Sequence, residues 1–139
     1  MPPDHLLKPL AEETARWLRY AREDLASARV LTTADGAPPR HAAFLAQQAA
    51  EKAIKAALVA ERQPFPFVHD LPKLLRLVPP AWRVHGVDAD FRTLTEYAAD
   101  ARYPDDFPDV SHAEAEAAVE DAARVVEAVT GDLGPLLGA

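Results

Sequence analysis

The sequence predicts an all-α protein, an up-and-down bundle of four long helices and one short one. Three observations lead there. Thirteen prolines divide the 139 residues into long proline-free stretches, 10–37, 40–63, 81–103 and 109–134. Those stretches are rich in Ala, Leu, Glu and Arg, all good helix formers. No stretch alternates polar and apolar residues between turn dipeptides as a half-buried strand would.

The first helix is expected from about Ala11 to Leu31, ahead of an Asp35-Gly36 turn. Trp17, Ala21, Asp24, Ala28 and Leu31 share one face of it, flanked by Leu18 and Leu25. Asp24 is the odd member of that apolar stripe. The second, from about Pro39 to Glu61, carries Phe44, Leu45, Ile54 and Leu58 among many alanines. It is apolar around most of its circumference, as a centrally placed helix must be. Pro64 and Pro66 follow it. Asp70 is the expected N-cap of a short third helix through Leu71, Leu74, Leu75 and Val78, with Pro72 in its first turn. Asp88 is placed to cap a fourth helix bearing Phe91, Leu94, Tyr97, Ala98 and Ala101. The fifth has the clearest start, the capping box Ser111-His112-Ala113-Glu114. Its apolar stripe runs Ala115, Ala118, Val119, Ala122, Val125, Val126 and Val129, and Gly131 is its expected C-terminal cap. The chain is expected to form a single domain, 1–139, with its core at about 12–130 and a C-terminal tail from 131 to 139.

Composition narrows the chemistry. There is no cysteine, which excludes disulfides, thiolate metal sites and cysteine nucleophiles and fits a cytoplasmic location. No apolar run approaches the roughly 18 residues of a membrane span. The start, Met1-Pro2-Pro3-Asp4-His5, lacks the basic-then-apolar pattern of a secretion signal. The histidines and carboxylates form no metal-ligand set, so neither a metal nor a cofactor is expected. The glycines are isolated, so there is no glycine-rich phosphate loop. A net charge of −7 argues against broad binding to nucleic acid backbone. That charge is unevenly spread: residues 1–87 hold 12 Lys/Arg against 9 Asp/Glu, and residues 88–139 hold 3 against 13.

Four segments stand out together. They are Trp17…Ala21-Arg22-Glu23-Asp24-Leu25; Phe44-Leu45-Ala46-Gln47-Gln48-Ala49-Ala50-Glu51-Lys52-Ala53-Ile54-Lys55-Ala56; His69-Asp70-Leu71…Leu74; and Ala101-Arg102-Tyr103-Pro104-Asp105. In this order and spacing the chain resembles the HEPN domain family over roughly residues 12–130. The resemblance implies a helical bundle, usually dimeric, often encoded beside a minimal nucleotidyltransferase in toxin–antitoxin-like pairs. It also implies a nucleotide or RNA as ligand. Many active members are metal-independent ribonucleases that use an Arg-x(4–6)-His motif, paired across two protomers.

Here the pattern departs from that motif. Arg102 lies where the motif arginine is expected, but after Asp106 the positions where its histidine would stand are occupied by Phe107, Pro108 and Asp109. The next histidine is His112. A formal match, Arg62…His69, falls in the loop before the third helix. Cleaving RNA without a metal needs groups that take and give protons near neutrality, a task for histidine and not for arginine. The expected role is therefore an accessory, nucleotide- or RNA-phosphate-binding homodimer working with a nucleotidyltransferase-type partner; the alternative is a toxin-type ribonuclease. The candidate phosphate-binding residues are Gln48, Glu51, Lys52, Lys55, Arg102 and Tyr103. Of these, Gln48, Lys52 and Lys55 recur at helical spacing on one face, with Glu51 beside them. His69, Asp70 and His112 are secondary candidates; for Asp70 a helix cap is a sufficient explanation.

Overall fold

A computed structural model describes residues 4–98 and 109–134. All regular structure among them is helical. The order is α1 (Asp4–Thr33), α2 (Pro39–Ala60), α3 (Leu71–Leu75), a 3-10 turn (Arg83–Gly86), α4 (Phe91–Glu96) and α5 (His112–Leu133). α2 packs against α1, α5, α3 and α4, and α1 and α5 also touch each other.

The central position of α2 follows from its composition. Ala42, Ala43, Ala46, Ala49, Ala50, Ala53, Ala56 and Ala57 are fully buried, as are Ile54 and Leu58. Alanine faces let neighbouring helices approach closely, so a single helix can be covered on several sides. α1 supplies Leu18, Ala21, Leu25 and Ala28 to this core. α5 supplies the expected stripe, Ala115 through Val129, extended by Leu133. Its capping box is complete: Glu114 N–H donates to Ser111 Oγ at 3.0 Å, and Ser111 N–H to Glu114 Oε1 at 3.1 Å.

The short elements are tied to the long ones by polar contacts. Asp70 caps α3 as expected, its Oδ1 accepting from Lys73 N–H at 3.0 Å. Leu71 N–H donates to Thr95 Oγ1 of α4. Trp82 Nε1–H donates to Glu61 Oε1 at the end of α2 at 2.8 Å. Arg83 meets Asp132 of α5 through both its backbone N–H and its guanidinium.

Four helix limits differ from the sequence expectation, each for a physical reason. α1 begins at Asp4 and runs through Pro9. Proline removes one donor, but this early in a helix the acceptor left over is a carbonyl of the first turn. α4 is capped by Asp90, which accepts from Thr93 N–H and Thr93 Oγ1, and not by Asp88. It is described over Phe91–Glu96; Ala101 lies outside the described residues. α5 passes through Gly131 and ends at Leu133. A Cβ on Gly131 would lie 3.0 Å from the Arg83 guanidinium, so glycine there serves the Arg83–Asp132 contact instead of capping.

The end of α3 is the fourth: the helix stops at Leu75, short of Val78, because the chain tightens there, Leu77 N–H donating to the Leu74 carbonyl and Val78 N–H to the Leu75 carbonyl. α2 ends at Ala60, within one residue of the expected Glu61. Arg62 N–H donates to the Val59 carbonyl and Gln63 N–H to the Leu58 carbonyl, with Arg62 at φ +54° between them. This is a Schellman stop with arginine at the left-handed position that glycine usually fills. A Cβ there is crowded by the following carbonyl. Arg62→Gly is therefore expected to stabilise the fold by about 0.5–1 kcal/mol, read as a raised urea midpoint with an unchanged slope.

Candidate functional site

The polar residues of α2 do not form a solvated stripe. Gln47, Glu51 and Lys55 recur every fourth residue on a helix that is buried nearly all round. Glu51 and Lys55 side chains are only 5% and 9% exposed. Each needs partners inside the protein, because an unpaired buried charge is costly. Glu51 finds three. Its Oε2 accepts from Lys55 Nζ at 2.9 Å. Its Oε1 accepts from Gln47 Nε2 at 3.0 Å and lies 2.7 Å from His69 Nδ1. Gln47 Nε2 also reaches the His69 carbonyl at 3.3 Å, and Gln48 Nε2 donates to Gln47 Oε1 at 2.6 Å. No buried side-chain polar atom among the described residues lacks a partner.

Burial pushes the Glu51 carboxyl up. The hydrogen bonds from Lys55, Gln47 and His69, with the Lys55 charge, outweigh it and hold the carboxyl below its ordinary value. The other end of Lys55 is enclosed by aromatic rings. Its ammonium lies 5.7 Å from the Trp17 ring of α1 and 5.5 Å from the Phe65 ring. The two rings meet edge-on at 6.3 Å. Both contacts are within cation–π range. Lys52 turns the other way and pairs with Asp24 of α1 at 2.5 Å, with both side chains part-exposed. That pair explains the carboxylate in the apolar stripe of α1.

The structure thus brings together Gln48, Glu51, Lys55 and His69 of the expected set, and separates Lys52 from them. Asp70 adjoins His69 but spends its carboxylate on the α3 cap. His112 sits apart, in the first turn of α5, with Nε2 2.6 Å from Glu116 Oε1 on an exposed face. Arg102, Tyr103 and Phe107 lie outside the described residues, as does any contact they make. Of the formal pair Arg62…His69, Arg62 belongs to the helix stop and His69 to the Glu51 network. Three contributors escaped the sequence reading: Gln47, Trp17 and Phe65. Their signal was present. A charged residue on an apolar face calls for a buried counter-charge, and a glutamine four residues before a buried glutamate is its natural donor.

An all-helical bundle with a buried Gln–Glu–Lys ladder on its central helix, clasping a histidine from the next loop, is the arrangement that the first three signature segments build; the fourth lies outside the described residues. The sequence matches the HEPN domain family over residues 14–132, from α1 to the last turn of α5. The chain belongs to that family, which supports a nucleotide-binding or ribonuclease-type domain. No curated protein and no solved structure matches it. Among the described residues there is no group of side chains that could hold a metal ion, and no helix long and apolar enough to cross a membrane.

Two consequences can be measured together. Glu51→Ala strands a buried Lys55 ammonium and is expected to cost about 3–5 kcal/mol, whereas Glu51→Leu combined with Lys55→Met should cost clearly less. Because the Glu51 carboxyl is lowered in the folded state, its contribution is complete above its ordinary value of 4.5 and is lost as pH falls through the lower folded value. Urea midpoints taken between about pH 6 and pH 3 should therefore fall more steeply for the wild type than for Glu51→Gln. Asp90, also lowered, chiefly by the Thr93 backbone hydrogen bond, titrates in both proteins and cancels in the difference.

Proposed function

We propose that the chain is a HEPN-domain accessory protein. It acts as a homodimer beside a minimal nucleotidyltransferase-type partner and holds a nucleotide or RNA phosphate without cleaving it. The observation that carries this reading is Phe107. It stands five positions beyond Arg102, where active members of the family place their histidine. Phenylalanine neither takes nor gives a proton, and losing general acid–base help costs about 10²- to 10⁴-fold in rate. The Glu51 network supports the same reading. A carboxylate held by three donors and a lysine enclosed by two rings are anchors, not proton carriers. Of the candidate cations in the signature segments, Lys52 and Arg102 are the ones this reading assigns to the phosphate, and the Asp24 carboxylate tempers the first of them.

A second reading, a metal-independent ribonuclease of the toxin type, is favoured by one contact. His69 Nδ1 lies on the Glu51 carboxylate, and an imidazole oriented by a buried carboxylate is how a general base is held.

One assay separates the two. Purified protein, incubated with total RNA and with transfer RNA from about pH 6 to 8 without metal, should leave both intact. Cleavage that disappears in Arg102→Ala or His69→Ala would promote the ribonuclease. In calorimetry the same preparation should bind a nucleotide or short RNA, more weakly in Lys52→Ala, Arg102→Ala or high salt, and more tightly in Asp24→Asn. Absence of binding by the wild type at millimolar nucleotide would end the phosphate-site proposal. Light scattering after size exclusion should give twice the 15.1 kDa chain mass, and a monomer mass at tens of micromolar would end the dimer proposal.

A further inference from the structure

A second concave site lies away from the Glu51 network, where α3, the 3-10 turn and the start of α4 converge. The cleft measures about 520 Å³, within the range of small-molecule pockets. Pro72, Leu75, Ala89 and Phe91 give it an apolar lining, and Arg76 and Arg92 stand in its walls. Leu75 and Phe91 are half-buried, so both present surface to the cleft, while both arginines are exposed. Neither guanidinium makes an ion pair or a side-chain hydrogen bond among the described residues, although the Arg92 charge acts on the neighbouring Asp90 carboxylate.

The lining of this cleft carries two arginines, Arg76 and Arg92, against the single carboxylate of Asp90. Asp90 is the acidic residue in the lining, and both of its oxygens are turned to Thr93, one accepting from the backbone N–H and one from the hydroxyl. His85, also in the wall, is fixed by its Nε2, 2.8 Å from the Val78 carbonyl. The ring nitrogen facing a carbonyl must carry the proton, so this wall adds no negative charge.

We propose that this cleft binds a small planar organic anion: an aromatic ring lying on Leu75, Ala89 and Phe91, with a carboxylate or phosphate between Arg76 and Arg92. A ring alone would leave the two guanidinium groups of the walls unused. An inorganic anion alone would leave the apolar floor wet. A molecule carrying both satisfies the site, since arginine's planar fork matches carboxylate and phosphate oxygens and its face stacks on rings. The site shares no residue with the Glu51 network and does not depend on the function proposed above.

The test is a titration of the full chain, followed by calorimetry and by heteronuclear NMR. The probes are naphthoate, adenosine monophosphate, adenosine and inorganic phosphate. At least one of the two ring-bearing anions should bind and shift amides of α3 and α4. Adenosine and phosphate alone should each bind about tenfold more weakly or worse. Combined Arg76→Gln and Arg92→Gln should weaken the ring-bearing anion by about tenfold or more, because charge-assisted hydrogen bonds are lost. The melting temperature should change little, since neither guanidinium makes an ion pair or a side-chain hydrogen bond among the described residues. Ala89→Trp, which fills the floor, should also abolish binding. The inference is overturned if neither ring-bearing anion binds at millimolar concentration. It is overturned equally if binding survives the double arginine variant, or is lost instead in Lys52→Ala. That last result would place the ligand at the α2 phosphate site and leave the function proposed above intact.

Discussion

The carboxylate of Glu51 is the interaction on which the rest of the site depends. It sits in the middle of the most enclosed helix, where a charge is tolerated only with full compensation. Lys55 supplies the opposite charge, and Gln47 and His69 supply the remaining hydrogen bonds. Those partners fix more than a proton balance. Lys55 draws Trp17 of α1 and Phe65 of the loop over its ammonium. His69 brings the loop back onto α2 one residue before the Asp70 cap, and so sets where α3 begins. One buried charge thereby joins α1, α2 and the start of α3.

The alanines of α2 make this possible. A helix carrying larger side chains on every face would hold its neighbours farther off, beyond the reach of His69 to the Glu51 carboxylate. The small residues lower the apolar area contributed by each position. The aliphatic core is accordingly carried by Ile54, Leu58 and the facing rows of α1 and α5. The short elements add Leu71, Leu74, Val84 and Leu94 to that core and are also held by polar contacts at their ends, as with Trp82 on Glu61 and Arg83 on Asp132.

Most of this architecture was legible in the sequence, and the exceptions are instructive. The α5 capping box and its valine stripe are local signals, and the structure follows them to within one turn. The central placement of α2 was legible because apolar residues surround it. Helix limits were less so. Pro9 and Gly131 suggest ends by propensity, yet Pro9 is tolerated early in α1, and the Arg83–Asp132 contact accompanies α5 past Gly131. The candidate site was half legible. Helical spacing put Gln48, Lys52 and Lys55 on one side of α2, but spacing does not say what stands opposite, and the structure groups Lys55 with Gln47 and Glu51 and separates Lys52. Asp24 of α1 draws Lys52 one way, and Glu51 draws Lys55 the other. Gln47 was hidden because a glutamine among alanines looks like any other polar position until its carboxylate partner is known to be buried.

The place of α2 in the chain also bears on how the protein is made. α1 and α2 are neighbours joined by a short turn, whereas the other wall of the α2 environment, α5, begins at His112, well after α2 ends at Ala60. Synthesis from the N-terminus therefore delivers a helical hairpin early, with the apolar surface meant for α5 still uncovered. The Glu51–Lys55–His69 ladder needs only α1, α2 and the loop that follows. It can close on the nascent hairpin and hold its geometry until the last helix emerges to cover it.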